Sequence, residues 1–280
     1  MASALEQTSP GRHRHDYRRE HLGTGDWEAW GPELGALRAA LEDWQGQLSG
    51  IEKPWLCWSV HERFCRIQQR LAIEFGWTPV VERDPRAGEP HVVPGAVRFH
   101  CNRVLALPTM WMWFPLEFVH RLCDRMAFWH SDFVVSRRDM ERLVTVFERL
   151  EDGETAAYAP RGRWFRKSKP CLGLAACATR GGSLDQWERG CGWWRWFAKH
   201  PNFRGHFELC GDNWDHGYGI RYWRDHYGGV VRPVAPSDRG HFKVPWGRWK
   251  GRMSKADSIE RFHDVDAMLS ALGVADLGRP

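Results

Sequence analysis

A strand, a helix and a second strand follow one another at short spacing in residues 55–81, and this order constrains the fold more than any other feature of the chain. Residues 55–60 (Trp-Leu-Cys-Trp-Ser-Val) are an apolar run of strand length. Residues 61–75 place Phe64, Ile67, Leu71 and Phe75 at helical spacing and stop at Gly76. Thr78-Pro79-Val80-Val81 returns as a strand. Parallel strands need a crossover of a dozen or more residues, and this arrangement is the signature of a parallel βαβ unit. An α/β fold is expected, a sheet flanked by helices.

The rest of the chain extends that pattern. Residues 27–48 carry Leu34, Leu37, Leu41 and Trp44 at helical spacing and close at Ser49-Gly50. Residues 84–94 read as a loop, 97–107 as a strand region, 114–123 as helical and 126–135 as one strand. Ser136-Arg137-Arg138-Asp139 is a near capping box before a helix with Met140, Leu143, Val144, Phe147 and Leu150 on its buried stripe. Gly, Ser, Arg and Lys dominate residues 156–192, where the basic and aromatic stretch 161–167 suits a loop over a ligand. A short helix is expected at 193–199, an amphipathic helix at 219–227, a strand at 230–234 and helices from about 254 onward. The expected organisation is a mobile basic arm (1–25), an N-terminal helical extension (26–50), a main domain (51–253) and a C-terminal helical tail (254–280).

Bulk properties narrow the function only a little. A chain of 280 residues with 42% hydrophobic and 27% charged content reads as an ordinary globular protein with a sizeable core. Its charge of +5 is compatible with a phosphate-bearing ligand or nucleic acid and demands neither. The 18 tryptophans are the anomaly, since Trp fills cores and also builds stacking surfaces for sugars and bases. Eight cysteines (57, 65, 101, 123, 171, 177, 191 and 210) include no C-x-x-C pair, which argues against a zinc ribbon. With no apolar leader after Met1, free thiols in the cytoplasm are expected, and no apolar run is long enough to span a bilayer.

Three places can carry chemistry. His130-x-Asp132 interrupts the apolar run 126–135, and residues two apart on a strand share a face, so both side chains can meet one divalent ion. The competing reading makes His130 a packed core residue and Asp132 a cap. Asp215-His216 precedes the 219–227 helix, where a carboxylate stays ionised and can accept a proton, or simply caps the helix. His241, in Gly240-His241-Phe242-Lys243, is a late metal ligand or a surface histidine.

In the order of these elements, residues of about 55–245 resemble a divergent GT-A-fold glycosyltransferase. Matched residue by residue, Asp132 falls on the second Asp of that fold's metal motif, and His130 stands where the first Asp would be. Asp215 falls on the catalytic base of inverting members, and His241 on the late metal ligand. The resemblance implies a nucleotide-sugar donor such as UDP-glucose, a Mn²⁺ or Mg²⁺ cofactor, and attack by an acceptor hydroxyl at the anomeric carbon. Glu62, Arg63, Asp84, Ser131 and Lys243 would line the donor site; Trp193, Trp194, Trp214 and His216 would form the acceptor platform.

Two acceptors stay open. One is a small molecule or glycan; the other is a hydroxymethylated pyrimidine such as 5-hydroxymethylcytosine in double-stranded DNA. The second would make the chain similar to phage and base-J-type DNA glucosyltransferases, with the arginines on the backbone and the base turned out of its stack. Two further readings need no sugar: a non-catalytic nucleic-acid-binding protein, and a metal-dependent hydrolase using His130, Asp132 and His241. Oligomeric state is not legible.

Overall fold

The computed structural model describes residues 32–83, 88–101, 103–104, 114–159, 174–189, 218–242 and 255–280. In chain order the elements are α1 (Pro32–Leu48), β1 (Pro54–Ser59), α2 (Glu62–Glu74), β2 (Thr78–Arg83), β3 (Val97–Arg98), α3 (Phe114–Glu117), α4 (Val119–Leu122), β4 (Arg125–Trp129), β5 (Phe133–Val135) and α5 (Arg137–Glu148). Then come β6 (Glu154–Tyr158), β7 (Ala175–Thr179), α6 (Arg180–Glu188), α7 (Tyr218–Tyr227), β8 (Val230–Val234), β9 (Arg239–His241), α8 (Lys255–Phe262) and α9 (Val265–Ala271).

Seven strands form one sheet in the order β3-β2-β1-β4-β7-β6-β8. Six run the same way and β7 alone runs against them. The expected βαβ unit is there: β1 pairs in parallel with β2 from Pro54↔Thr78 to Ser59↔Arg83. Every residue of β1 is buried, which explains a run with no polar alternation: helices cover both faces. Successive side chains divide between two cores. Leu56, Trp58 and Phe128 meet Trp44 of α1, Val119 of α4 and Trp187 of α6 on one face. Trp55, Cys57, Ala127 and Trp129 meet Phe64 of α2, Phe147 of α5 and Leu269 of α9 on the other.

Six tryptophans (44, 55, 77, 129, 187 and 223) are among the largest fully buried side chains, so much of the unusual Trp content fills the core. Trp55 sits 5.2 Å from Trp77, 4.4 Å from Trp129 and 5.3 Å from Phe147, ring centroid to centroid. α1 belongs to this core, its Trp44 indole donating to the Cys101 carbonyl at 3.0 Å. Residues 255–280 dock on α2 through arginines. Arg63 pairs with Asp266 at 2.5 Å, Arg66 donates to the Gly278 carbonyl at 3.1 Å, and Arg70 to those of Leu277 and Arg279 at 2.8 and 2.7 Å. No helix among the described residues is long and apolar enough to cross a membrane.

Several sequence expectations need correction. Residues 126–135 are two strands, β4 and β5, with a turn between them. The 97–107 region is a strand only at Val97–Arg98 among its described residues, and 114–123 is two short helices. The Gly-, Ser-, Arg- and Lys-rich stretch 156–192 contains the end of β6, all of β7 and α6, while the loop expected at 161–167 and the short helix expected at 193–199 lie outside the described residues. β7 reads Ala-Ala-Cys-Ala-Thr, residues with little strand preference, and becomes a strand because it is buried between β4 and β6. Ser136 caps α5 as expected, accepting from the Asp139 amide at 3.3 Å. Asp139 does not complete the box: its buried carboxylate accepts from the Asp238 amide, Ser237 and Arg142, tying the β8–β9 turn to α5.

His120 on α4 gives this fold an acid limit. Its ring lies 5.9 Å from Trp187, and its Nδ1 meets the Ser183 hydroxyl at 3.3 Å. Burial, and then the neighbouring Arg121 charge, push its pKa down from 6.5 to about 4. The folded state therefore favours the neutral ring, while the unfolded chain takes up the proton first. Stability fully present above pH 6.5 should fall as the pH drops toward about 4, by roughly 2–3 kcal/mol from this group. Urea unfolding at a series of pH values should show the slope, and His120→Gln should flatten it; an unchanged slope would remove His120 as the cause.

Candidate metal centre

β4 leaves the sheet at Trp129, and the next three residues make a tight turn closed by the Phe133 amide donating to the His130 carbonyl at 3.1 Å. Outside a strand, both carbonyls flanking this turn lose their ladder partners. Gln68, fully buried on α2, supplies them: its Nε2 donates to the carbonyl of His130 at 2.7 Å and of Phe133 at 2.8 Å. The His130 amide donates to Leu174 at 3.0 Å, one residue past the β4–β7 pairing. Backbone and amide together fix both ends of the turn.

β5 then pairs antiparallel with β9, placing Phe133 opposite His241. The Phe242 amide donates to the Asp132 carbonyl at 2.9 Å, extending the pairing toward the turn. These contacts bring three side chains together from distant parts of the sequence. Asp132 Oδ1 is 3.2 Å from His130 Nδ1 and 3.7 Å from His241 Nε2, and one donor atom from each residue lies within 4.8 Å of the others. The two histidine rings stand nearly perpendicular, 6.0 Å apart. Neighbouring donors about 2.1 Å from a single ion stand ~3.0–3.4 Å apart, so small rotations of these side chains would close the set on a metal.

The side chains of Asp132 and His130 are 7% and 14% exposed and that of His241 is 28% exposed, so a bound ion would keep access to solvent and substrate on the His241 side. Two imidazoles and one carboxylate favour Mn²⁺, Fe²⁺ or Zn²⁺ over Mg²⁺, and three protein donors leave positions open for a substrate oxygen. The expectation that His130 and Asp132 share one face of a strand is corrected: they converge because both lie in the turn that follows the end of β4.

The cluster's place in the sheet matters as much as its donors. The chain runs from β1 outward to β2 and β3, then returns to put β4 on the other side of β1. That reversal opens a crevice outside the carboxyl ends of β1 and β4, the usual ligand position in open α/β sheets. His130 and Asp132 follow β4 there, Ser59 ends β1, and His61 and the first turn of α2 follow it. His61 stacks on Phe64 at 4.1 Å, and its Nε2 lies 2.8 Å from Glu260. Burial lowers its pKa against the opposing pull of Glu260. On the β2 side, buried Glu82 accepts from the Arg83 amide at 2.7 Å and from Arg98 at 2.9 Å.

Of the residues singled out in the sequence, His130, Asp132 and His241 are brought together. Ser131 is buried in the turn between them. Glu62 and Arg63 lie in the first turn of α2 with their charges already engaged, Glu62 by Arg66 and Arg63 by Asp266. Asp84, Trp193, Trp194, Trp214, Asp215, His216 and Lys243 lie outside the described residues. Gln68 went unread in the sequence, although an amide within the Phe64, Ile67, Leu71 stripe is the signal that would have found it. No family model, curated protein or solved structure matches the chain.

Gln68→Leu keeps the volume, removes the donor of the buried Phe133 carbonyl and leaves the His130 carbonyl with the Phe133 amide alone. It should cost about 1–3 kcal/mol of stability. It should also weaken Mn²⁺ binding by roughly 10-fold or more, as loss of an orienting group typically does. Urea unfolding and a Mn²⁺ titration check the two effects, and unchanged metal affinity would mean the turn holds its shape without this amide.

Proposed function

We propose that the chain is a metal-dependent glycosyltransferase that moves a sugar from a nucleotide-sugar donor to an acceptor hydroxyl. The observation carrying this reading is the convergence of His130, Asp132 and His241 at the carboxyl end of β4, beside the crevice where the sheet reverses direction. A nucleotide lying over β1 and β2 would bring its diphosphate to the ion. The metal would offset charge growing on the leaving diphosphate, an electrostatic contribution that is often the largest in such reactions. A mostly parallel sheet and a metal cluster completed by a late histidine fit the GT-A-like order of elements. Asp215, just upstream of α7, is the proposed base, with Trp193, Trp194, Trp214 and His216 as acceptor contacts. The acceptor is a small molecule or glycan, or a hydroxymethylated pyrimidine in DNA.

A second reading rests on the donor set alone. Two histidines and a carboxylate with open positions also serve non-haem iron(II) chemistry and metal-assisted hydrolysis.

A thermal-shift panel of nucleotide sugars, with Mn²⁺, with Fe²⁺ and with neither, separates the readings. One donor at about 100-fold above its dissociation constant should raise the melting temperature on the order of 5 °C with Mn²⁺ and much less without. Asp132→Asn and His241→Ala should each abolish the Mn²⁺-dependent part. Stabilisation by Fe²⁺ alone, with every nucleotide sugar silent, would end the sugar-transfer reading and favour the second.

A further inference from the structure

The small sheet that completes the metal cluster carries a second charged group on the same face. Arg239 and His241 are two residues apart on β9, so their side chains project to the same side, opposite Val135 and Phe133 of β5. Arg239 is exposed. Its guanidinium carbon lies 5.1 Å from the centre of the Tyr158 ring, and Nη1 donates to the Pro236 carbonyl at 2.7 Å. It makes no ion pair among the described residues, whereas Arg63, Arg66, Arg98, Arg137, Arg142, Arg180 and Arg232 each meet a carboxylate. A guanidinium stacked on a ring and bonded to a carbonyl has already lost much of its freedom, so an oxyanion reaching it would order little more.

Its position decides which substrate it meets. The ring of Phe133 lies 6.5 Å from that of His241 and 5.9 Å from that of Tyr158, on which Arg239 stacks, and Arg239 faces Val135 two residues further along β5. The guanidinium therefore stands to one side of the metal donors instead of among them. Tyr158 ends β6, and the sheet order places β6 beyond β7 on the side of β4 away from β1 and β2. A nucleotide over β1 and β2 leaves this side for the second substrate.

We propose that Arg239 binds an anionic group, phosphate or carboxylate, on the acceptor, so that the acceptor is a negatively charged hydroxyl compound. This rests on the sugar-transfer reading for the word acceptor, though the anion site itself does not require it. Planar guanidinium matches both oxyanions through paired hydrogen bonds, and such charge-assisted bonds are the strong ones.

Calorimetry on the full chain, with and without saturating Mn²⁺, tests this with four probes: glucose 6-phosphate, glucuronate, a short DNA duplex and neutral glucose. At least one charged probe should bind 10-fold or more tighter than glucose. Arg239→Gln should remove about 10-fold of that affinity, leaving glucose binding and Mn²⁺ affinity unchanged, and Arg239→Lys should restore part of it. The winning probe tells a phosphomonoester from a carboxylate and from a nucleic-acid backbone. The proposal is overturned if no charged probe outbinds glucose, or if Arg239→Gln binds them as the parent does. Failure of Mn²⁺ to bind the parent chain would instead strike the sugar-transfer reading, and the metal-free arm would still decide the anion site.

Discussion

Where β4 leaves the sheet, the Phe133 carbonyl is buried and the His130 carbonyl closes a turn, and the amide of Gln68 donates to both. A buried carbonyl without a donor is costly, so a break in a central strand needs a partner of this kind. With that partner the chain can stop pairing at Trp129, turn, and resume as β5 in a second sheet. Asp132 then emerges at the sheet edge instead of being carried along a strand, and β5 becomes available to β9. The cluster of His130, Asp132 and His241 follows from this one disruption of regular pairing.

The two sheets divide the labour. The large one is apolar on both faces and supplies rigidity: its central strands pack Trp55, Trp129 and Phe128 between helical layers. The small one is short and lies at the rim, where backbone pairing holds His241 beside Asp132. Groups held by packed secondary structure keep their geometry better than groups on loops. Asp139, buried under the β8–β9 turn and accepting from the Asp238 amide, carries that rigidity from α5 into the small sheet.

Much of the fold was legible in the residues. The apolar run of β1, the stripe of α2 and the return at Thr78–Arg83 announced a parallel unit because local pattern and tertiary environment agree there. β7 was illegible because four of its five residues, Ala175, Ala176, Cys177 and Ala178, have no strand signal of their own; pairing on both sides makes the strand. The broken strand at 130–132 was illegible for a different reason. Burial of Phe133, Val134 and Val135 looks the same in sequence whether they continue β4 or begin a new sheet. His130, Asp132 and His241 were recognisable as metal-binding residue types, yet their convergence depends on Gln68 and on β5–β9 pairing, which no local window contains. Arg239 carried no signal at all, since one arginine among many looks alike until its neighbours are placed.

The column of rings behind the cluster links parts of the chain made at different times. Phe64 of α2 lies 4.3 Å from Phe242, and Phe242 lies 5.5 Å from His263, which follows α8. Phe242 directly follows His241, so the end of β9 is wedged between an early helix and residues 255–280. During synthesis the large sheet's first four strands and the His130–Asp132 turn emerge long before that wedge exists. Contacts between such distant segments form late, because closing the intervening loop costs entropy that no local contact returns. A nascent chain still lacking residues 255–280 leaves Phe242 packed on one side only, so the cluster of His130, Asp132 and His241 should reach its final geometry last, after the sheet has formed.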